Sequence, residues 1–309
     1  MIVKLLLENG AGVNAEGGEY GNALQAASYG GNEAIVKLLL ENGAEVNAAD
    51  GGEFGNALQV ASLRGNEVIV KLLLENGAEV NAEGGEYGNA LQAASYEDNE
   101  AIVKLLLENG AEVNAEGGEY GNALQAASLR GNEAIVRLLL ENGAGVNAEG
   151  GEYGNALQAA SLRGNEVIVE LLLENGARVN TAEGGYGNAL QAASFRGNEV
   201  IVKLLLENGA EVNAEGGHYG NALQAASYAG NEMIVELLLE NGARVNAEGG
   251  EYGNALQAVS KSFRDNEVIV KIVKLLLENG ADVNAEGGHY GNALQAASSG
   301  KPQLGIYLD

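Results

Sequence analysis

The residue types that could do chemistry in this 309-residue chain are few and badly spaced for it. His218 and His289 are the only histidines, 71 residues and two repeats apart, and there is no cysteine. That rules out a metal-ligand set read from spacing, thiolate chemistry, and an imidazole base placed for a Ser-His-Asp constellation. Carboxylates abound, 43 Asp and Glu against 17 Lys and Arg. They recur in every repeat, so no pair of them needs a catalytic explanation. Glycine-rich stretches such as Gly117-Gly118-Glu119-Tyr120-Gly121 lack the strand-then-helix setting that would cradle a phosphate, and neither GxxxxGK[ST] nor GxGxxG occurs. Neither catalysis nor a cofactor is expected. Recognition chemistry remains: aromatic rings, guanidinium groups and charged loop tips at recurring places.

Those places belong to a repeat. GNALQ begins at Gly21, Gly55, Gly88, Gly121, Gly154, Gly187, Gly220, Gly253 and Gly291, mostly 33 residues apart, and LLLENGA recurs nine times beside it. A fixed period in this range is the mark of a stacked array, in which each unit buries its apolar face on the next. Within Gly88–Tyr120, Asn89 with Gln92 three places on has capping-box spacing, and Ala90-Leu91-Gln92-Ala93-Ala94 is a short helix with small side chains. Asn99 is placed to cap a second helix, and Glu100 suits its first turn. Ile102, Val103, Leu105, Leu106 and Leu107 give that helix a wide apolar face. Asn109-Gly110 stops it, and Gly117-Gly118 suits a hairpin-like loop. The expected fold is all-α, a solenoid of about nine helix-turn-helix units.

The second-helix block, Gly131-Asn132-Glu133-Ala134-Ile135-Val136-Arg137-Leu138-Leu139-Leu140-Glu141-Asn142-Gly143-Ala144-Gly145-Val146-Asn147, resembles that of the ankyrin repeat, and the resemblance covers essentially the whole chain. The first-helix block departs from the family's T-P-L-H: Asn122 stands as the cap, Ala123 replaces proline, and Gln125 replaces histidine as the side-chain hydrogen-bonder. The NALQAAS variant with its GGxYG loop is similar to ankyrin arrays of filamentous fungi that form part of NACHT-type, NLR-like receptors. The resemblance implies a protein-protein interaction module whose loop tips and first-helix ends line a ligand-facing groove.

Comparing the repeats with one another shows where that groove would be specific. The place after the first-helix serine reads Tyr29, Leu63, Tyr96, Leu129, Leu162, Phe195, Tyr228 and Lys261; the next holds Arg64, Glu97, Arg130, Arg163 and Arg196, with small residues elsewhere. At the loop tips Glu86, Glu119, Glu152 and Glu251 give way to His218 and His289. Aromatic and arginine side chains are those enriched at interface hot spots. The positions from Tyr29 to Tyr228 and the tips from Glu86 to His289 are therefore the candidate protein-binding residues. A place on the second helix that varies through Lys37, Arg137, Glu170, Lys203 and Glu236 reads as solvated. The tyrosine row (Tyr20, Phe54, Tyr87, Tyr120, Tyr153, Tyr186, Tyr219, Tyr252, Tyr290) reads as packing between loops.

Bulk properties narrow the partner. A net charge of −26 repels phosphate backbones and anionic headgroups and favours a basic protein. Met1–Leu7 is not a signal peptide, because the same letters recur as a repeat helix at Ile35, Ile69 and Ile102. With no cysteine, no N-x-S/T sequon and no membrane-length apolar run, the expectation is a cytoplasmic monomer. GGEYGNAL is loosely similar to the calcium-binding nonapeptide, but Asn replaces its Asp and the period does not match, so no metal is expected.

The array is expected to span 1–309, with a truncated repeat at 1–20, an insertion-bearing repeat at 253–290 and a degenerate repeat at 291–309. Three irregularities stand out: Ala49-Asp50, Thr181, and a stretch at 261–274 whose Lys261, Arg264, Lys271 and Lys274 form a basic island. The missing polar caps suggest a fragment of a longer protein, and Pro302 could open a short terminal helix. The competing reading of the chain is a structural acidic spacer without a specific ligand.

Overall fold

A computed structural model describes residues 2–48, 54–182 and 184–299. It divides into two units, Met1–Glu152 and Tyr153–Asp309. Each is a stack of helix pairs, and no strand occurs among the described residues. The first unit holds α1 (Ile2–Glu8), α2 (Ala23–Tyr29), α3 (Glu33–Glu41), α4 (Ala57–Leu63), α5 (Glu67–Glu75), α6 (Ala90–Tyr96), α7 (Glu100–Glu108), α8 (Ala123–Arg130) and α9 (Glu133–Glu141). The second holds α10 (Ala156–Arg163), α11 (Glu166–Glu174), α12 (Ala189–Arg196), α13 (Glu199–Glu207), α14 (Ala222–Ala229), α15 (Glu232–Glu240), α16 (Ala255–Ser260), α17 (Asn266–Glu278) and α18 (Ala293–Ser298). No described helix is long and apolar enough to cross a membrane.

The two helices of a repeat play different parts. First helices are sandwiched: every residue of α6 from Ala90 to Ser95 is buried between α4 and α8. Their alanines allow that close approach and lose no side-chain entropy on burial. Second helices bury one stripe. In α9, Ile135, Val136 and Leu139 are buried while Glu133, Ala134 and Arg137 face solvent. Burying a side chain of that size contributes roughly 1.5–3 kcal/mol, whereas an isolated nine-residue helix is marginal in water, so the neighbours make the helix stable.

Buried polar side chains join one repeat to the next. The Nε2 of Gln59 donates to the carbonyls of Ala82, Gly84 and Gly88 at 3.0, 3.2 and 3.0 Å, and its Oε1 accepts from the Asn56 amide at 2.6 Å. Gln191 repeats this in the second unit, donating to Ala214, Gly216 and Gly220. Glutamine thus holds the loop of the following repeat and, in α2, α4, α10, α12 and α16, also closes the capping box of its own helix. The loop asparagines form an outer staple. Asn81 donates to the Gly110 carbonyl and accepts from the Glu112 amide, at 3.1 and 2.9 Å.

One expected role is corrected. Asn99 precedes the second helix but makes no side-chain cap; its backbone, at φ −92° and ψ 67°, is not extended as a cap requires. Its Nδ2 reaches back to the Ser62 carbonyl of the preceding repeat at 3.0 Å. Asn66, Asn132 and Asn231 behave alike, whereas Asn198, with ψ near 92°, does accept from the Ile201 amide. By contrast Asn89, fully extended, caps α6 by accepting from the Gln92 amide, but the reciprocal half of the expected capping box is missing, since Gln92 Oε1 finds no partner among the described residues.

The insertion lengthens α17 to 13 residues against nine in the other complete second helices, keeping Ile272 and Leu276 buried. Its basic island is smaller than the letters imply. Lys261 is only 3% exposed, with Nζ 2.7 Å from Ser299 Oγ and 4.4 Å from the centre of the Tyr290 ring. Burial pulls its pKa below the usual lysine value. Ala49-Asp50 and Pro302 lie outside the described residues.

Candidate protein-binding face

Loop tips and first-helix ends form one face within each unit. The tips are joined by the backbone. In the first unit the Glu119 amide donates to Glu86 O at 2.9 Å and the Glu152 amide to Glu119 O at 3.0 Å; in the second, His218 donates to Gly185 O, Glu251 to His218 O and His289 to Glu251 O, at 3.0, 3.1 and 2.8 Å. The tips at Glu86, Glu119, His218, Glu251 and His289 are tight hairpins, closed for example by Gly117 N to Gly121 O at 2.8 Å. An even scaffold therefore presents uneven side chains. The first unit shows three glutamates, with Glu119 and Glu152 exposed and Glu86 half-buried; the second shows His218, Glu251 and His289, all exposed. His218 Nε2 lies 2.6 Å from Glu251 Oε2. Glu119 has its pKa raised, first by desolvation and then by the neighbouring Glu86. No group of three or more His, Asp or Glu among the described residues is arranged to hold a metal ion.

Behind the tips runs the aromatic row. Loop rings of successive repeats stack, Tyr87 on Tyr120 at 5.7 Å and Tyr219 on Tyr252 at 6.3 Å. Where the place after the first-helix serine is aromatic, its ring slots between two of them. Tyr96 lies 5.4 Å from Tyr87 and 4.4 Å from Tyr120; Tyr228 lies 5.3 Å from Tyr219 and 4.6 Å from Tyr252; Tyr29 and Phe195 sit likewise. Burial, followed by Glu86, Tyr96, Glu97 and Glu119, pushes the Tyr87 hydroxyl up to about 12. Burial also raises Tyr120 and Tyr252, aided by their hydrogen bonds with Tyr96 and Tyr228.

The candidate residues thus divide by accessibility. Leu129 and Leu162 are 6% and 7% exposed, so they fill the stack and show almost nothing to a partner. Tyr29, Leu63, Tyr96, Phe195 and Tyr228 are half-buried. Arg64, Glu97, Arg130, Arg163 and Arg196 are exposed, yet not all are free. The Arg64 guanidinium stacks 4.7 Å from the Tyr29 ring centre and that of Arg130 4.6 Å from Tyr96, within cation–π range. Arg130 also donates from Nε to the Tyr96 carbonyl at 3.2 Å. Arg163 and Arg196 make no hydrogen bond, ion pair or ring stack among the described residues. Two residues outside the candidate set share this face: Lys261, which takes the helix-end place against Tyr290, and Arg264, whose Nε donates to Ala229 O at 2.9 Å. Lys261 was detectable in the sequence as the one charged member of its column; the inserted residues shift Arg264 out of register with its column.

A family model described as ankyrin repeats (3 copies) matches residues 1–50, 48–117, 91–183 and 181–249. Among solved structures, the human ASB11 ankyrin repeat domain is similar at 27% identity and a TM-score of 0.60, over 73% of this chain and 98% of that one. No curated protein matches.

Proposed function

Because the chain belongs to the ankyrin repeat family, whose members generally serve as protein-protein interaction modules, we propose that it binds a protein partner through its loop tips and first-helix ends and has no catalytic role. The observation that carries this is the tip ladder: identical backbone hydrogen bonds hold Glu86, Glu119 and Glu152 in one unit and His218, Glu251 and His289 in the other. A spacer has no need of a regular frame that displays different side chains. The net charge of −26 favours a partner that is basic over most of its contact. The NALQAAS variant supports the narrower reading, the recognition segment of a larger NLR-like receptor, acting as a monomer in the cytoplasm.

The spacer reading draws on a specific observation as well, since Arg64 and Arg130 are satisfied by the rings of their own neighbours. One comparison separates the two. Replacing Glu86, Glu119, His218 and Glu251 together by alanine alters the face; replacing Lys71, Lys104 and Arg137 alters the exposed side of the second helices. Affinity capture from native lysate should lose its stoichiometric partner with the first set and keep it with the second, at unchanged thermal melts. Equal capture by both, or none by the unmodified chain, supports the spacer.

A further inference from the structure

Arg163 ends α10 and Arg196 ends α12, equivalent places on successive repeats of the second unit. They line one open depression of about 420 Å³ together with Gly164, Gly197, Asn198, Glu199 and Val200. Their lack of a partner has a cause visible in the neighbours. Arg64 and Arg130 follow repeats whose first helix ends in tyrosine, Tyr29 and Tyr96, and each guanidinium lies on that ring. In sequence, the place equivalent to Tyr29 and Tyr96 one repeat before Arg163 and Arg196 holds Leu129 and Leu162, which offer no π face. Among the described residues, two guanidinium forks therefore stand unpaired in a chain where acidic groups outnumber basic ones 43 to 17.

The rest of the lining favours negative charge in this spot. The first residues of the nine-residue α13, Glu199 and Val200, line the same depression, and the amides of a helix's opening turn lack partners inside the helix. The Asn198 side chain satisfies only the Ile201 amide and otherwise donates to the Gly164 carbonyl. The one carboxylate in the lining, Glu199, is held by Lys203 along its own helix.

We propose that Arg163, Arg196 and the first turn of α13 form an oxyanion seat that takes an aspartate or glutamate side chain of the protein partner. This rests on the reading that the face binds protein. A planar carboxylate matches the guanidinium fork two donors at a time. The chain's negative field penalises an acidic segment as a whole, so the carboxylate sits among basic residues of the partner, which the glutamate tips and the bulk charge favour.

The test uses the full chain and a labelled peptide carrying one glutamate between lysines, with glutamine and phosphoserine versions. Arginine Nε and the Gly197, Glu199 and Val200 amides are followed by nuclear magnetic resonance. The glutamate peptide should shift these signals and bind at least tenfold more tightly than the glutamine peptide. R163A/R196A should abolish that preference, and R163K/R196K should restore it only in part. Equal binding of the glutamate and glutamine peptides, an unchanged preference in R163A/R196A, or a response to phosphoserine alone would overturn the carboxylate seat. Because the four-residue tip variant keeps both arginines, loss of the seat and loss of the binding face are separate results.

Discussion

Gln191 offers the sharpest measure of how much the buried glutamines hold together. Its Nε2 lies 3.2, 3.2 and 3.0 Å from the carbonyls of Ala214, Gly216 and Gly220, and its Oε1 accepts from the Asn188 amide at 2.7 Å. Two Nε2 protons serve three carbonyls, so two donated bonds and one accepted bond is the fair count. At a net of about 1 kcal/mol each, these contribute about 3 kcal/mol. The side chain is 1% exposed, so water cannot replace the donor, and stranding the Gly220 carbonyl costs about 1–3 kcal/mol more. Gln191→Met keeps most of the volume and removes the hydrogen bonds; we expect a loss of roughly 4–6 kcal/mol. Asn213→Ala provides the contrast. It too breaks two bonds between repeats, to the Gly242 carbonyl at 3.0 Å and from the Arg244 amide at 2.8 Å. Those are exposed, water takes over, and the loss should stay near 0.5–1 kcal/mol. Equilibrium guanidinium denaturation followed by circular dichroism gives the losses. Hydrogen exchange at Gly216 and Gly220 shows whether the loop opens locally, and a reduced m value would report an array split at that interface. A cost below about 1 kcal/mol for Gln191→Met would refute the reasoning.

Gly118 and Gly110 are both left-handed, at φ 65° and 85°, but a Cβ on Gly118 would meet the Tyr87 carbonyl carbon at 2.5 Å and the Glu86 oxygen at 2.6 Å, while one on Gly110 meets nothing within 4 Å. Gly110→Ala should therefore cost about 1–2 kcal/mol of backbone strain and Gly118→Ala clearly more, and equal thermal melts would contradict the ladder geometry. The tyrosine row predicts an alkaline limit. Tyr87, Tyr120, Tyr252 and Tyr290 have folded pKa values raised above the ordinary 10.0, so their stabilisation is complete below pH 10 and is lost as pH rises through the folded values, about 12 for Tyr87. Denaturation midpoints should fall steeply above pH 10, and Tyr87→Phe with Tyr120→Phe should flatten that fall; an unchanged slope would exclude the row as its source.

The sequence made the array and most of its parts legible because they follow from local rules. The period set the stacking, the Asn89–Gln92 spacing set the cap on α6, and Asn109-Gly110 set the stop of α7. Gln125 as replacement for the family histidine also proved sound, with Nε2 donating to Ala148 and Gly150 in the following loop. What stayed hidden was the direction in which side chains act between repeats. Asn99 has the letters of a cap but a backbone that turns its amide toward Ser62. Lys261 looks like a surface charge and is buried against Tyr290. In both cases the deciding neighbour is more than 25 residues away, and single-repeat patterns carry no information about it.

The same blindness bears on the candidate site, because repeat-to-repeat variation is not all of one kind. A column that changes freely can mark a ligand surface, drift, or compensation between neighbours, and the letters alone do not separate these. Compensation is visible here: Tyr29 with Arg64 and Tyr96 with Arg130 are ring and cation matched across an interface. Replacing Tyr29 by leucine would free the Arg64 guanidinium on the surface, which is the situation of Arg163 and Arg196 among the described residues; Arg130 would keep its bond to the carbonyl of residue 96. The helix-end columns therefore have to be read in pairs of repeats, the ring of one with the cation of the next. Read that way, Arg64 and Arg130 belong to the fold, Leu129 and Leu162 to its interior, and the residues left to meet a partner are the tips and the two arginines that no ring has claimed.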